Sequence, residues 1–173
     1  MKKITKVTNI LKKEKVDYLF ISASENIAWL LNIRGTDSDF SPLPNCFLVI
    51  DKFLRIYLFC DLNKIDMKFK KKLNFIKIFE INELEKFLNK ISNKNFLIDS
   101  LTCSVFFKNI IEKYNIVKIN TDPIYYLKSQ KNNREIKNIK KIHEYDGASL
   151  TKFLFWIQNN FKKKKNYRII SSE

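Results

Sequence analysis

A short group of residues with binding chemistry follows the first apolar stretch of the chain. Within nine positions the sequence places Trp29, Arg34, Gly35 and Asp37. Arginine offers a planar fork of donors to a carboxylate or a peptide carbonyl, glycine lets a backbone approach closely, and tryptophan supplies a flat wall. The group therefore favours recognition of the polar backbone of a peptide. A salt bridge between Arg34 and Asp37 that stiffens the loop explains the two charges equally well, and the two interpretations are compatible.

The chain lacks the residues that several common catalytic motifs require. The chain has 2 glycines and 1 histidine, which excludes glycine-rich phosphate loops, nucleophile elbows and metal sites with two histidines. His143 falls on a helical segment and indicates a packing or partly exposed helix residue, although composition leaves a Ser-His-Asp triad open. The carboxylates Asp37 and Asp39 and those of segment 82–85 are too thinly spread to predict a metal site.

The composition favours one globular domain with an extension. The chain has 173 residues, of which 45% are hydrophobic, enough for an ordinary core. Its net charge of +15 comes almost entirely from lysine. Nucleic-acid sites use arginine and interleaved aromatic residues, so nucleic acid is not expected as a partner. The lysine clusters at 68–72 and 162–165 predict a solvated face, with a polyanion site as the alternative.

The cysteines and the apolar runs indicate the cellular compartment of the protein. Cys46, Cys60 and Cys103 are widely separated, have no metal-ligand spacing, and predict buried thiols rather than disulfides. The longest apolar runs are far shorter than the ~20 residues of a membrane span. The lysine-rich start lacks the apolar core of a signal peptide. We therefore expect a cytoplasmic protein without a membrane partner.

Alternating short strands and amphipathic helices must position the group. Strands are predicted over 17–22, 46–50, 55–60, 74–80, 95–99 and 116–120, and helices over 4–15, 24–31, 81–91, 104–114 and 133–160. Ser24 is the predicted N-cap of the second helix, and Gly35 is predicted to close that helix, either as its C′ residue or just beyond it. A hairpin of the second and third strands makes the sheet mixed, so we expect an α/β fold with three layers, a mixed sheet flanked by helices. After a polar connector at 127–133, the last helix is roughly 40 Å long and is expected to pack against a partner.

Two segments resemble a known family. DYLFISASENIAWLLNIRGTDSDFSPLPNCFLVI (17–50) closely resembles the opening of the second creatinase-type domain of Xaa-Pro aminopeptidases (aminopeptidase P). DPIYYLKSQKNNREIKNIKKIHEYDGASLTKFLFWI (122–157) resembles the junction of that domain with the "pita-bread" metallopeptidase domain. The resemblance implies a creatinase/prolidase N-terminal-like domain over 1–126. Over 127–173 it implies a linker and the first helix of an incomplete metallopeptidase domain.

The resemblance also implies a role without catalysis in this chain. The family removes N-terminal residues that precede proline, using two divalent ions, usually manganese, whose ligands lie beyond this sequence. We therefore expect a truncated chain that binds no cofactor itself and is inactive alone. Arg34 and Asp37 are implied as substrate-side residues, with Trp29 and Asn32 as their supports.

The expected partners follow from the same resemblance. They are a catalytic metallopeptidase half or a second copy of the chain, together with peptides that carry proline at the second position. The alternative is a freestanding binding or oligomerisation module, with the long helix at 133–160 as its interface.

Overall fold

A computed structural model describes residues 2–66, 69, 71 and 73–162, which fall into one compact unit, 1–129, and a second, 130–173. The described helices are α1 (Lys2–Lys13), α2 (Ser24–Leu31), α3 (Glu83–Asn89), α4 (Val105–Glu112), α5 (Pro123–Ser129) and α6 (Asn133–Lys162), with a 3₁₀ turn at Leu62–Lys64. The described strands are β1 (Tyr18–Ile21), β2 (Cys46–Asp51), β3 (Ile56–Cys60), β4 (Lys77–Glu80), β5 (Asn95–Ile98) and β6 (Ile116–Ile119).

The six strands form one mixed sheet in the order β4-β3-β2-β1-β5-β6. Strand β2 is antiparallel to both of its neighbours, with Ile21 opposite Leu48 and Cys46 opposite Cys60. The remaining pairs, β3–β4, β1–β5 and β5–β6, are parallel. The predicted hairpin and mixed sheet are therefore confirmed. The carboxyl ends of all strands except β2 consequently meet at one edge, where β2 begins.

Apolar side chains alternate between the two faces of the sheet, because successive residues of a strand point to opposite sides. One face packs against α1 and α2, with Val7, Leu11 and Ile27 buried among Leu48 and Leu58. The other face packs against α3 and α4 through an aromatic-rich core; its fully buried members include Phe59, Phe96, Leu84, Leu88 and Ile111. Helices on both faces of the sheet confirm the three-layer α/β fold.

Helix α2 spans the predicted residues, but its capping residues differ from the prediction. Ala23 occupies the N-cap position and Ser24 already lies inside the helix, so Ser24 is not the N-cap. The helix ends at Asn32, which adopts the left-handed conformation with φ 54° and ψ 48°. Asparagine tolerates this conformation better than most residues with a Cβ atom. Gly35 is therefore not the C′ residue; it lies three positions beyond the C-cap, and its role is described below.

The polar connector predicted at 127–133 begins as a helix. Helix α5 runs over Pro123–Ser129, and its start is built by Pro123, which suits a first helical position, and by Asp122, whose carboxylate accepts the Ile124 N–H at 2.9 Å. Ile124 is fully buried. At 7 residues the helix makes only about two turns, too few for a periodic apolar pattern to predict it from sequence.

The described part of the second unit contains the predicted long helix. Helix α6 has 30 residues, about 45 Å, and starts with a reciprocal capping box: Asn132 Oδ1 accepts the Glu135 N–H and Glu135 Oε2 accepts the Asn132 N–H. His143 is exposed on it, as are the large apolar residues Ile136, Ile139, Ile142, Tyr145, Leu150, Phe153, Leu154, Phe155, Trp156 and Phe161. None of the described helices, α6 included, combines the length and apolarity needed to cross a membrane. The lysine clusters at 68–72 and 162–165 lie mostly outside the described residues, as does 163–173.

Candidate functional site

A cavity of about 340 Å³ opens where β3 ends and β2 begins, at the edge that carries the other strand ends. Its apolar lining is Ile33, Pro44, Cys46, Leu58, Cys60, Ile65 and Phe69, and its polar lining includes Arg34, Asp37, Asn45, Asp61 and Lys64. The loop after α2 supplies one wall and the segment after β3 supplies the other. A pocket with an apolar base and a few converging charges has the properties of a ligand site.

Arg34 lines this cavity and is exposed to solvent. Its Nη1 atom donates a 2.8 Å hydrogen bond to the carbonyl oxygen of Ile33. That contact orients the guanidinium group without neutralising its charge, because the carbonyl is an uncharged acceptor. A positive charge held over a partly apolar pocket is suited to a carboxylate or to a peptide carbonyl.

Asp37 is paired with a residue that the sequence did not indicate. Its carboxylate accepts the Asn45 N–H at 2.7 Å and forms an ion pair with Lys64; the Asp37 side chain is 15% exposed and that of Lys64 is 55% exposed. The Lys64 ammonium, and then the Asn45 N–H, lower the pKa of the Asp37 carboxyl. The predicted salt bridge between Arg34 and Asp37 is therefore replaced by a pair with Lys64, because Arg34 turns toward Ile33.

Gly35 is required by the packing of its own loop. A Cβ atom at this position would lie 2.6 Å from Pro44 Cα and 2.7 Å from Pro44 N, both backbone atoms. The Gly35 N–H also donates to the carbonyl oxygen of Pro42 at 3.2 Å. The close approach predicted for this glycine is real, but the approaching backbone belongs to the segment that returns to β2.

The other two predicted site residues lie on the adjoining helix. Trp29 is half-buried against α1, where Lys3 Nζ lies 3.9 Å from the ring centroid and donates to the Trp29 carbonyl oxygen at 2.6 Å. Asn32 is exposed and forms the C-cap of α2. The structure thus brings Arg34, Gly35 and Asp37 together around one cavity. Trp29 and Asn32 instead belong to helix α2, which precedes that loop.

A buried polar network, which sequence analysis missed, anchors that helix. Asn26 Nδ2 donates to Asp122 Oδ2 at 2.7 Å, and Lys128 Nζ donates to Asn26 Oδ1 at 2.7 Å. The Asp122 N–H in turn donates to Asp99 Oδ2 at 2.9 Å. Burial raises the pKa of the Asp122 carboxyl. The partners are up to 102 residues apart, so no local pattern could have revealed them, and together they tie α2 and α5 to the end of β5.

The thiols of the three cysteines differ in burial, and their surroundings bear on metal binding. Cys46 is buried as predicted, while Cys60 and Cys103 are half-buried. Burial raises the pKa of the Cys46 thiol to about 12 and those of Cys60 and Cys103 to about 11. Across residues 2–66, 69, 71 and 73–162, no group of three or more histidine, cysteine, aspartate or glutamate side chains could hold a metal ion. The described residues therefore do not fit the two divalent ions that the resemblance implies.

A family model described as the Creatinase/Prolidase N-terminal domain matches residues 1–135. The chain belongs to this family. Over 172 residues it is 31% identical to Xaa-Pro aminopeptidase 1 of Dictyostelium discoideum, a match covering 95% of this chain and 26% of that protein. With Xaa-Pro aminopeptidase ApepP of Drosophila melanogaster the identity is 30% over 170 residues, covering 94% and 27%. This creatinase/prolidase N-terminal domain thus spans about a quarter of the length of the curated relatives it matches.

A solved structure supports the same fold. The domain is similar to the X-prolyl aminopeptidase of Caenorhabditis elegans, described as a cytosolic enzyme with a di-nuclear active site, with a TM-score of 0.78 and 24% identity. The similarity covers 95% of this chain and 28% of that one. The predicted family and the predicted creatinase/prolidase N-terminal-like architecture are therefore confirmed.

Proposed function

We propose that this chain is the substrate-side and oligomerisation domain of an Xaa-Pro aminopeptidase, and that it takes no part in the bond cleavage itself. The observation that carries the proposal is the match of nearly the whole chain to about a quarter of two Xaa-Pro aminopeptidases. In such an enzyme the remaining length supplies the catalytic metallopeptidase half, either from further sequence or from a separate chain. The substrates would be peptides with proline at the second position, and the compartment would be the cytoplasm.

The proposal places the cavity at the entrance of the catalytic cleft. Arg34 would bind a peptide carbonyl or the terminal carboxylate of the substrate, since its contact with the Ile33 carbonyl leaves its charge uncompensated. Asp37, paired with Lys64 and with the Asn45 N–H, would hold the loop in the conformation that presents Arg34. Trp29 and Asn32 would act as supports through the helix. The proposal assigns both divalent ions, expected to be manganese, to the catalytic half.

The oligomerisation role is based on α6. Large apolar side chains along this helix are exposed, for example Ile142 at 59% and Leu150 at 58%. An apolar surface of this kind is typical of a protein–protein interface. In the proposed enzyme α6 is covered by the catalytic half or by a second copy of the chain. The same surface supports the alternative function, a freestanding binding or oligomerisation module without a peptidase role.

A chimeric enzyme tests the proposal. The matching quarter of the Dictyostelium relative is replaced by this chain, and manganese-dependent release of arginine from Arg-Pro-Pro is measured. We expect the chimera to cleave the peptide. Arg34→Ala should then lower kcat/KM by about tenfold or more, because a hydrogen bond from a charged group contributes about 1.5–3 kcal/mol.

The matched control is Lys86→Ala, which removes one exposed positive charge from α3 on the opposite face of the sheet. It should leave kcat/KM unchanged. A folded chimera that does not cleave, or an Arg34→Ala chimera as active as the control, would contradict the substrate-side role. Light scattering on the chain alone distinguishes the alternative: a stable oligomer that does not associate with the catalytic portion of the relative favours the freestanding module.

A further inference from the structure

Two of the three cysteines face each other across the hairpin that lines the cavity. Cys46 is the first residue of β2, Cys60 is the last residue of β3, and the two are direct register partners. Both line the cavity. Cys103 belongs to the aromatic-rich core on the other face of the sheet, whereas Cys46 and Cys60 belong to the core beneath α1 and α2.

The geometry of the hairpin turn determines whether Cys46 and Cys60 form a hydrogen-bonded or a non-hydrogen-bonded pair. The Asp51 N–H donates to the Arg55 carbonyl oxygen at 3.0 Å, and Leu54 between them has a φ of 70°. This is the three-residue hairpin loop with one left-handed residue, in which Asp51 and Arg55 form a hydrogen-bonded pair. Pair types alternate along an antiparallel ladder. Five steps further along the ladder, Cys46 and Cys60 form a non-hydrogen-bonded pair.

Such a pair has the geometry that a disulfide needs. The Cα atoms of non-hydrogen-bonded partners are about 4.5 Å apart, and their side chains point to the same face and lie close together. Disulfides span Cα separations of about 4.4–6.8 Å. The pKa of the Cys46 thiol, raised chiefly by burial, is raised further by the neighbouring Cys60, in keeping with two sulfurs in close proximity.

We propose that Cys46 and Cys60 are a redox modification site, at which a low-molecular-weight disulfide such as oxidised glutathione converts the two thiols to a reversible cross-strand disulfide. Cys60 is the more exposed of the two and reacts first. Its thiolate attacks one sulfur of oxidised glutathione, breaks that S–S bond and releases one glutathione thiolate. Cys46, deprotonated in turn, attacks the Cys60 sulfur of the mixed disulfide and releases the second glutathione thiolate.

The electrons and protons of these steps balance. The protein pair loses two electrons, the glutathione disulfide gains them, and the two cysteine protons end on the two released glutathione molecules. Raised thiol pKa values of about 11 for Cys60 and about 12 for Cys46 leave little thiolate at neutral pH. The reaction should therefore be slow at pH 7 and accelerate by roughly tenfold for each pH unit.

The test uses the full chain with Cys103→Ser, which leaves the two facing thiols. The protein is incubated with oxidised glutathione between pH 7 and 9, free thiols are alkylated, and the mass is measured. We expect both thiols to disappear together without retained glutathione, a peptide map that links Cys46 to Cys60, and recovery of both thiols with dithiothreitol. Two persistent free thiols, glutathione retained on Cys60, or a link between two chains would each overturn the proposal.

Two further variants keep one thiol each and serve as matched controls. Cys46→Ser combined with Cys103→Ser keeps the more exposed Cys60 and should stop at a mixed disulfide with glutathione, whereas Cys60→Ser combined with Cys103→Ser keeps only the buried Cys46, whose thiol should stay free. If burial of residue 46 prevents folding of its serine variant, the two-thiol protein still decides the question. The readout counts thiols rather than cleavage, so its outcome is independent of the proposed peptidase role.

Discussion

Substitution of Gly35 by alanine should destabilise the domain, although alanine usually stabilises a chain relative to glycine. The new Cβ atom would lie 2.6 Å from Pro44 Cα, nearly 1 Å inside ordinary van der Waals contact, and the obstructing atoms are backbone. Overpacking of this kind costs about 1–3 kcal/mol. Alanine also lowers the conformational entropy of the unfolded chain, which stabilises the folded protein by about 0.4–1 kcal/mol. At mid-range values of the two terms the net loss is about 1 kcal/mol, or a Tm lower by roughly 2–4 °C for a chain of this size.

Gly147 provides a matched control for this measurement. It lies inside α6, and apart from its chain neighbours and the nearby backbone of its own helix, no heavy atom lies within 4 Å of where an added Cβ atom would stand. Gly147→Ala should therefore favour the helix by about 1 kcal/mol and leave the melting of the sheet domain unchanged. Both variants are compared by thermal unfolding followed by circular dichroism. A Gly35→Ala protein that melts at or above the wild-type temperature would refute the tight approach of the loop to Pro44.

Three further substitutions test the elements around the cavity. Because Asn32 has a positive φ, Asn32→Val should lower the free energy of unfolding in urea by about 1–2 kcal/mol, and Asn32→Gly by only a few tenths. Equal losses for the two variants would contradict the left-handed C-cap. Asn26→Ala should cost about 1–3 kcal/mol, because it removes a hydrogen-bond donor from the buried Asp122 carboxylate, and a neutral result would contradict the network. The folded-state pKa of Asp37 is lowered by Lys64, so the stability from this pair is present above the unfolded pKa of about 3.9 and is lost as pH falls through the folded value. Asp37→Asn should then flatten the acid side of the stability curve by less than about 1 kcal/mol, and 1 M salt should reduce the difference; an unchanged acid limb would show that the pair is not formed.

The fold could be predicted from the sequence because its signals are local. Short apolar runs gave the six strands, and spacings such as Ile4, Val7 and Leu11 gave the amphipathic helices, all of which lie within a few residues of the prediction. Errors occurred where another local preference acted. Asn32 rather than Gly35 caps α2, and α5 begins at Pro123 and packs Ile124 and Leu127 against the core.

The site was less predictable because its contacts are long-range. The residue types at Arg34, Gly35 and Asp37 correctly indicated a shared location, since they occupy one loop. Their partners could not be read from spacing: Lys64 is 27 residues from Asp37 in the chain. The close approach of Pro44 to Gly35 depends on how the loop returns to β2, which only the folded chain defines.

One measurement tests most directly the proposal that this chain takes no part in bond cleavage. Arginine release from Arg-Pro-Pro is followed with manganese present, using the purified chain alone beside the chimera that carries the rest of the Dictyostelium relative. We expect release by the chimera and none above buffer by the chain alone. Release by the chain alone that survives further purification and stops on addition of a chelator would contradict it.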